Sequence, residues 1–179
     1  MKKNRHFICL SLSALGHPRY YTQHMSIDKT WQTHSASSEE TEDLAAKLGK
    51  QLKGGEVIEL VSDLGGGKTA FVRGLARGMG SLDKVASPTF TLSREYYSQE
   101  LTMYHFDFYR LQEAGIMQHE LQEAIHNPAG VVVIEWADAV AGVLPHERLS
   151  ITIKTTGETT RDLRFVCPEK LKYLLRELT

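Results

Sequence analysis

Cysteine is almost absent from this chain: Cys9 and Cys167 are the two in 179 residues, far apart and without metal-ligand spacing. That argues against a disulfide framework or a cysteine-based zinc site and fits a reducing compartment. Net charge is equally scarce. Lys and Arg total 21 against 22 for Asp and Glu, a formal charge of -1. No global field therefore draws the chain to nucleic acid or an anionic membrane, and any RNA contact must come from a local patch or a partner protein. No segment is long enough to span a membrane, and neither an internal repeat nor a low-complexity tract occurs. The remainder, 41% hydrophobic, is enough for one substantial core and a single domain.

Residues 1–35 stand apart. Met1-Lys2-Lys3-Asn4-Arg5 followed by His6 to Gly16 imitates a signal peptide, but the apolar part is short and diluted by serine, and no small-x-small cleavage site follows. The expectation is a disordered extension, with Met25 as an alternative start, ahead of a domain at 36–179 in the cytoplasm.

Within that domain, Val57-Ile58-Glu59-Leu60-Val61 breaks into Ser62-Asp63-Leu64-Gly65-Gly66-Gly67-Lys68-Thr69. A glycine-rich loop between a strand and a helix lets successive backbone N–H groups turn around an anion, and the helix start adds its positive dipole end. Lys68 then reaches the outer phosphates and the Thr69 hydroxyl ligates Mg²⁺. The full signature asks for glycine where this chain has Ser62. A bare G-K-[ST] arises by chance in roughly one chain in ten of this length, so the context carries the weight. The preceding segment is apolar and β-branched, as a strand buried on both faces requires. Phe71, Val72, Leu75, Ala76 and Met79 then recur at helical spacing, with Arg73 and Arg77 on a different face.

Ser37 and Glu40 have capping-box spacing ahead of Leu44, Ala45, Leu48 and Leu52, which predicts a helix ending at Gly54-Gly55. Leu101 to Phe108 reads as a strand. About Gln112 to His126 reads as a helix with Ile116, Leu121 and Ile125 inward, and Val131-Val132-Val133-Ile134 as a central parallel strand. Leu149, Ile151 and Ile153 alternate with polar residues, and Leu163 to Val166 can pair with them antiparallel around a turn near Gly157. Pro168 opens a closing helix with Leu171, Leu174, Leu175 and Leu178 on one face.

A phosphate loop needs a carboxylate near its metal, and Glu135 directly follows the Val131–Ile134 run, where α/β sheets place their ligands. Trp136 beside it can stack on a ligand or simply pack. Asp107 is a second carboxylate near a strand end. It can position the attacking water, or it can form a turn or pair with Arg110. His105 reads as a satisfied strand histidine rather than a base. Ser87 and Thr89 can sense the terminal phosphate as a switch loop, or belong to a rigid turn set by Pro88. Arg73, Arg77, Lys84 and Arg94 can form a basic patch or an ordinary solvated face.

Several blocks in order, Ser62–Thr69, Arg73-Gly74, Ser87–Leu92, His105–Leu111 and Ile134-Glu135-Trp136, resemble the TsaE family, formerly YjeE, across roughly Ser37 to Leu178. The resemblance implies an α/β, three-layer P-loop NTPase fold with a mostly parallel central sheet and a small antiparallel extension. It implies an ATPase that needs Mg²⁺, is weak alone, and works with TsaB and TsaD. Those partners transfer threonylcarbamoyl to N6 of the adenosine beside the anticodon in tRNAs reading codons that begin with A, so tRNA is met through the complex. By resemblance, Asp63, Leu64, Gly65, Gly66, Gly67, Lys68, Thr69 and Ala70 bind ATP, Thr69 and Glu135 serve the metal, and Asp107 supports hydrolysis. Thr41 and Arg161 fall where the family approaches the nucleotide. The chain departs from the family at Ser62, usually glycine there, and in its N-terminal extension. The alternatives are a small-molecule kinase, for which no Arg-rich lid or acceptor pocket is identified, and a nucleotide-binding assembly factor with little turnover. A GTPase would need an Asn-Lys-x-Asp motif, which is absent.

Overall fold

A computed structural model describes residues 28–111, 115 and 117–178. The extension through residue 27, including Met25, and the proposed inward contact of Ile116 lie outside the described residues. The chain order is strand β1 (Lys29–Ser35), helix α1 (Ser38–Gly49), β2 (Val57–Val61), α2 (Lys68–Met79), β3 (Ser93–Tyr97) and β4 (Thr102–Asp107). It continues with α3 (Met117–His126), β5 (Gly130–Glu135), a 3₁₀ segment (Ala137–Val143), β6 (Leu149–Thr155), β7 (Arg161–Cys167) and a second 3₁₀ segment (Glu169–Leu175).

One seven-stranded sheet runs β1-β7-β6-β2-β5-β4-β3. The four central strands are parallel, and β1, β7 and β3 are antiparallel to their neighbours. The centre is where the sequence is most apolar. Every residue of β5 is buried, because helices cover both faces: α1, α2 and the last 3₁₀ segment pack over Ile58, Leu60, Val133, Ile151 and Phe165, while α3 and the first 3₁₀ segment cover Val57, Phe106, Val132 and Ile134. The architecture is the expected three-layer α/β fold.

Two edge strands were not expected. Residues 29–35, assigned above to the extension, pair along their whole length with β7, from Lys29 opposite Cys167 to Ser35 opposite Arg161. Residues 29–35 therefore belong to the folded sheet and not to an extension. The strand is held by its backbone, and Trp31 against Phe165, with ring centroids 5.0 Å apart, is its main apolar contact. The closing segment is 3₁₀ rather than a long α-helix, with Leu171, Leu174 and Leu175 buried. The Leu171–Leu174 spacing of three matches the 3₁₀ period.

Helix α1 carries the expected capping interactions. Ser37 Oγ accepts from Glu40 N at 3.1 Å and Glu40 Oε2 accepts from Ala36 N at 2.7 Å. The helix stops at Gly49, short of Gly54. It lies against α2 through two glycines one turn apart. A Cβ on Gly74 would sit 2.2 Å from the Glu42 carbonyl oxygen, and one on Gly78 would sit 2.1 Å from that of Ala46. Arg73 pairs with Glu42, and Arg77 with Asp43 at 2.6 Å, so these arginines tie the helices together and do not form a free basic patch.

Gly78→Ala sets two effects against each other. Helix propensity gains about 1 kcal/mol, and overpacking costs about 1–3 kcal/mol or more. Because the obstructing atom is a backbone carbonyl inside a helix, the clash is expected to dominate by about 2 kcal/mol, lowering Tm by about 4–8 °C for a domain of this size. A variant that melts at or above the parent temperature would show that the two helices separate at little cost.

Candidate nucleotide-phosphate site

The site forms at the C-terminal ends of β2, β4 and β5, where a parallel sheet opens toward its ligands. Between β2 and α2 the chain turns through Gly65 and Gly67 at φ +75° and +110°, a region where a side chain would be strained. Gly67 caps α2 with no side-chain hydrogen bond, so the first N–H groups of the helix are left for another acceptor. Gly66 has a different constraint, since a Cβ there would lie 1.9 Å from Ser62 Oγ. Ser62 itself is not among the residues with positive φ, so serine adopts this backbone without strain. The serine hydroxyl is buried without a hydrogen-bond partner, and its bulk is accommodated because residue 66 has no side chain.

Lys68, 6% exposed, folds back over the loop. Its Nζ donates to the Ser62 and Asp63 carbonyl oxygens at 3.1 and 3.0 Å, lies 3.9 Å from Glu135 Oε2, and sits 4.8 Å from the centroid of the Trp136 ring. Trp136 is in the left-handed region at φ +58°, a conformation that costs of order 1–3 kcal/mol. That turn carries the indole over the lysine and against Tyr109, with ring centroids 5.0 Å apart.

Parallel pairing sets Asp107 opposite Glu135 and His105 opposite Val133. Asp107 Oδ1 accepts from Tyr109 N at 3.0 Å, which makes it the turn former considered above. Its Oδ2 accepts from Thr89 Oγ1 at 2.5 Å, and Thr89 Oγ1 lies 2.7 Å from Ser87 Oγ. The Ser87–Thr89 loop is therefore anchored on β4. Arg110 lies over the Phe90 ring at 4.7 Å and does not pair with Asp107. Tyr96 fixes the start of the same loop, donating to the Ala86 carbonyl at 2.8 Å. Burial pushes its phenol above the ordinary tyrosine range.

These residues line one cavity of about 250 Å³: Leu64 through Thr69, Ser87, Thr89, Asp107, Glu135 and Trp136. A second hollow of about 150 Å³ shares Gly67 and is lined by Ser38, Thr41, Ala70, Glu158, Thr159 and Arg161. Arg161 Nε donates to the Gly66 carbonyl at 2.9 Å, and its Nη1 donates to Thr160 O at 2.8 Å, so the β6–β7 turn is tied to the phosphate loop. Thr41 is buried, and its hydroxyl donates to Ser37 O at 3.0 Å. Asp63 lines neither hollow. It serves the loop through its carbonyl, which accepts from Gly66 N and Lys68 Nζ. Sequence reasoning missed Ser38, Glu158 and Thr159, which carry no motif signal, and the contact between His105 and Glu135, whose signal is the spacing of two between His105 and Asp107 on one strand face.

The donor set suits a hard cation held with a nucleotide. Among the described residues, no group of three or more His, Cys, Asp or Glu could form a metal cage. Thr69 and Glu135 meet in one cavity beside the open helix start, and Mg²⁺ is commonly held by one or two protein groups together with substrate phosphates and water.

The family model described as "Threonylcarbamoyl adenosine biosynthesis protein TsaE" matches residues 35–163. The chain belongs to the TsaE family. A tRNA threonylcarbamoyladenosine biosynthesis protein TsaE from Bacillus subtilis is 40% identical over 135 residues, covering 75% of this chain and 83% of the relative. The protein of that name from Treponema pallidum is 37% identical over 130 residues, covering 72% and 95%. The crystal structure of YdiB from Bacillus subtilis superposes with a TM-score of 0.67 at 33% identity, covering 85% of this TsaE-family chain and 95% of that one. The fold is that of a P-loop NTPase.

Proposed function

We propose that this TsaE-family protein is the Mg²⁺-dependent ATPase subunit required for threonylcarbamoyl transfer to N6 of the adenosine beside the anticodon, in tRNAs reading codons that begin with A. It acts with TsaB- and TsaD-type proteins in the cytoplasm and meets tRNA through them. The observation that carries this reading is the convergence of Lys68, Thr69, Thr89, Asp107 and Glu135 on one cavity at the strand ends. No helix among the described residues is long and apolar enough to cross a membrane. Support for partner dependence comes from the rim, where Leu64, Phe90 and Tyr109 are 69%, 84% and 46% exposed, since exposed apolar groups near a polar site favour protein contacts.

The phosphates of ATP bind against the N–H groups that open α2, where the helix dipole and Lys68 supply positive charge. Lys68 exchanges its two loop carbonyls for phosphate oxygens. Thr69 and Glu135 would hold Mg²⁺, which would offset the negative charge of the phosphates. Asp107 and Thr89 orient the water that attacks the γ-phosphorus. The bond from that phosphorus to the β–γ bridging oxygen breaks, and ADP and inorganic phosphate leave. Arg161 and Thr41 border the hollow that continues from Gly67 and receives the remainder of the nucleotide.

The test measures ATP binding and hydrolysis by the full chain, alone and with TsaB and TsaD. Weak turnover alone and faster turnover in the complex is the expected result. Phosphorylation of a nucleoside without partners would overturn the reading in favour of a kinase. Binding without hydrolysis, even in the complex, would make the protein an assembly factor.

A further inference from the structure

Beneath the cavity floor lies a fully buried histidine that the mechanism above does not use. His105 has no exposed surface, and its Nε2 is 2.9 Å from Glu135 Oε1. The other ring nitrogen, Nδ1, is buried without any hydrogen-bond partner. An ionised carboxylate only accepts hydrogen bonds, so Nε2 carries the proton it gives to Glu135. The ring thus aims its Nε2 donor at one oxygen of Glu135. The strand register enforces the aim, because His105 lies two residues before Asp107 on β4, beside the β5 strand that ends in Glu135. Oε2, the oxygen His105 does not hold, is the one 3.9 Å from Lys68 Nζ.

We propose that His105 is a positioning residue: its Nε2–H pins Oε1 of Glu135 so that Oε2 alone is presented to the cation and phosphate side of the cavity. The inference rests on the reading of Glu135 as a metal-site residue. A free carboxylate can rotate and offer either oxygen or both, and a hydrogen-bonded one presents a fixed edge. Groups that hold a metal's ligands in this way are typically worth about 10–100-fold in metal affinity or activity. A purely packing role would require only a side chain of matching volume.

Three variants separate these roles: His105→Gln, whose amide nitrogen reaches the place of Nε2; His105→Asn, which is polar but too short to reach it; and His105→Leu, which has no donor. The readout is the ratio of ADP affinity in Mg²⁺ to that in EDTA, by calorimetry, on protein whose melting shows it folded. The parent is expected to bind ADP more tightly with Mg²⁺. Asn and Leu at this position should lower the ratio by about tenfold while leaving affinity in EDTA within about twofold, and Gln should restore the ratio to within about threefold of the parent. Equal ratios for the Asn and Gln variants would overturn the proposal, as would an unchanged ratio in the Leu variant. Should the variants not fold, ¹⁵N NMR of the parent decides, since a proton on Nε2 is required and a bare Nε2 overturns the proposal. A parent indifferent to Mg²⁺ overturns the metal-site reading and this inference together, whereas a responsive parent with unresponsive variants overturns this inference alone.

Discussion

Lys68→Ala is expected to lower ATP hydrolysis in the presence of TsaB and TsaD by about 10²–10³-fold while leaving the protein folded. The lysine is the one basic side chain lining the phosphate cavity among the described residues. Removing a preorganised donor from a water-poor site costs about 2.7–4 kcal/mol of transition-state stabilisation, and that converts to the stated fold-change at 1.36 kcal/mol per decade. The structural cost is smaller. Asp63 O still receives Gly66 N at 3.1 Å, the loop keeps the Arg161 bond to Gly66 O, and Glu135 keeps His105. Binding of ATP should weaken as well, because the charge that leaves Ser62 O and Asp63 O for the phosphates is gone. Steady-state hydrolysis beside a melting curve checks both halves. Turnover within about tenfold of the parent, in a folded variant, would remove Lys68 from the chemistry.

The centre of this fold is readable in its residues, and the edges are not. The β5 segment is apolar on both faces because helices cover both, and that composition shows without knowledge of its partners. The glycine loop is likewise local, since its backbone turns and the helix it opens are adjacent in sequence. Glu135 follows from position alone, as the carboxylate that ends a buried strand. β1 and β3 are different. They alternate polar and apolar residues weakly, with Tyr96 the buried residue of β3; β3 forms only by pairing with β4 across a short turn, and β1 depends on backbone bonds to β7, far away in sequence. The same non-locality hid His105. Its meaning depends on the parallel register of β4 against β5, which places a histidine beside the base of a carboxylate thirty residues away. Thr41 and Arg161 came only through resemblance, because the elements that carry them meet the loop through α1–α2 contact and the β6–β7 turn. Ser62, the departure in the loop, follows a similar logic. The backbone at 62 does not need glycine, and the space its side chain takes is supplied by Gly66 four residues later.

Glu135→Gln isolates the charge of the carboxylate that ends β5 from its shape. The amide is nearly isosteric with the acid, and its oxygen can still accept from His105 Nε2, so the buried bond at 2.9 Å survives and melting should change little. What disappears is the negative charge 3.9 Å from Lys68 Nζ, in the cavity that Thr69 also lines. Two consequences oppose each other. Without metal, Lys68 no longer shares its charge with a carboxylate, and repulsion between that carboxylate and the phosphates is gone. ATP affinity in EDTA is therefore expected to hold or tighten, by up to about threefold at an exchange of roughly 0.6 kcal/mol. With Mg²⁺, on the proposed reading, the hard cation would lose its charged protein ligand, and a neutral amide oxygen would replace it poorly. Turnover in the complex is then expected to fall by about 10²–10³-fold, the size of a removed electrostatic group in a closed site. The opposite signs make the variant informative where a simple loss would not be. A fall in both EDTA affinity and turnover would mean that Glu135 supports the loop rather than the metal. Unchanged turnover would transfer the metal's carboxylate role to Asp107, whose two oxygens are held by Tyr109 N and Thr89 Oγ1 and would have to give up one of them.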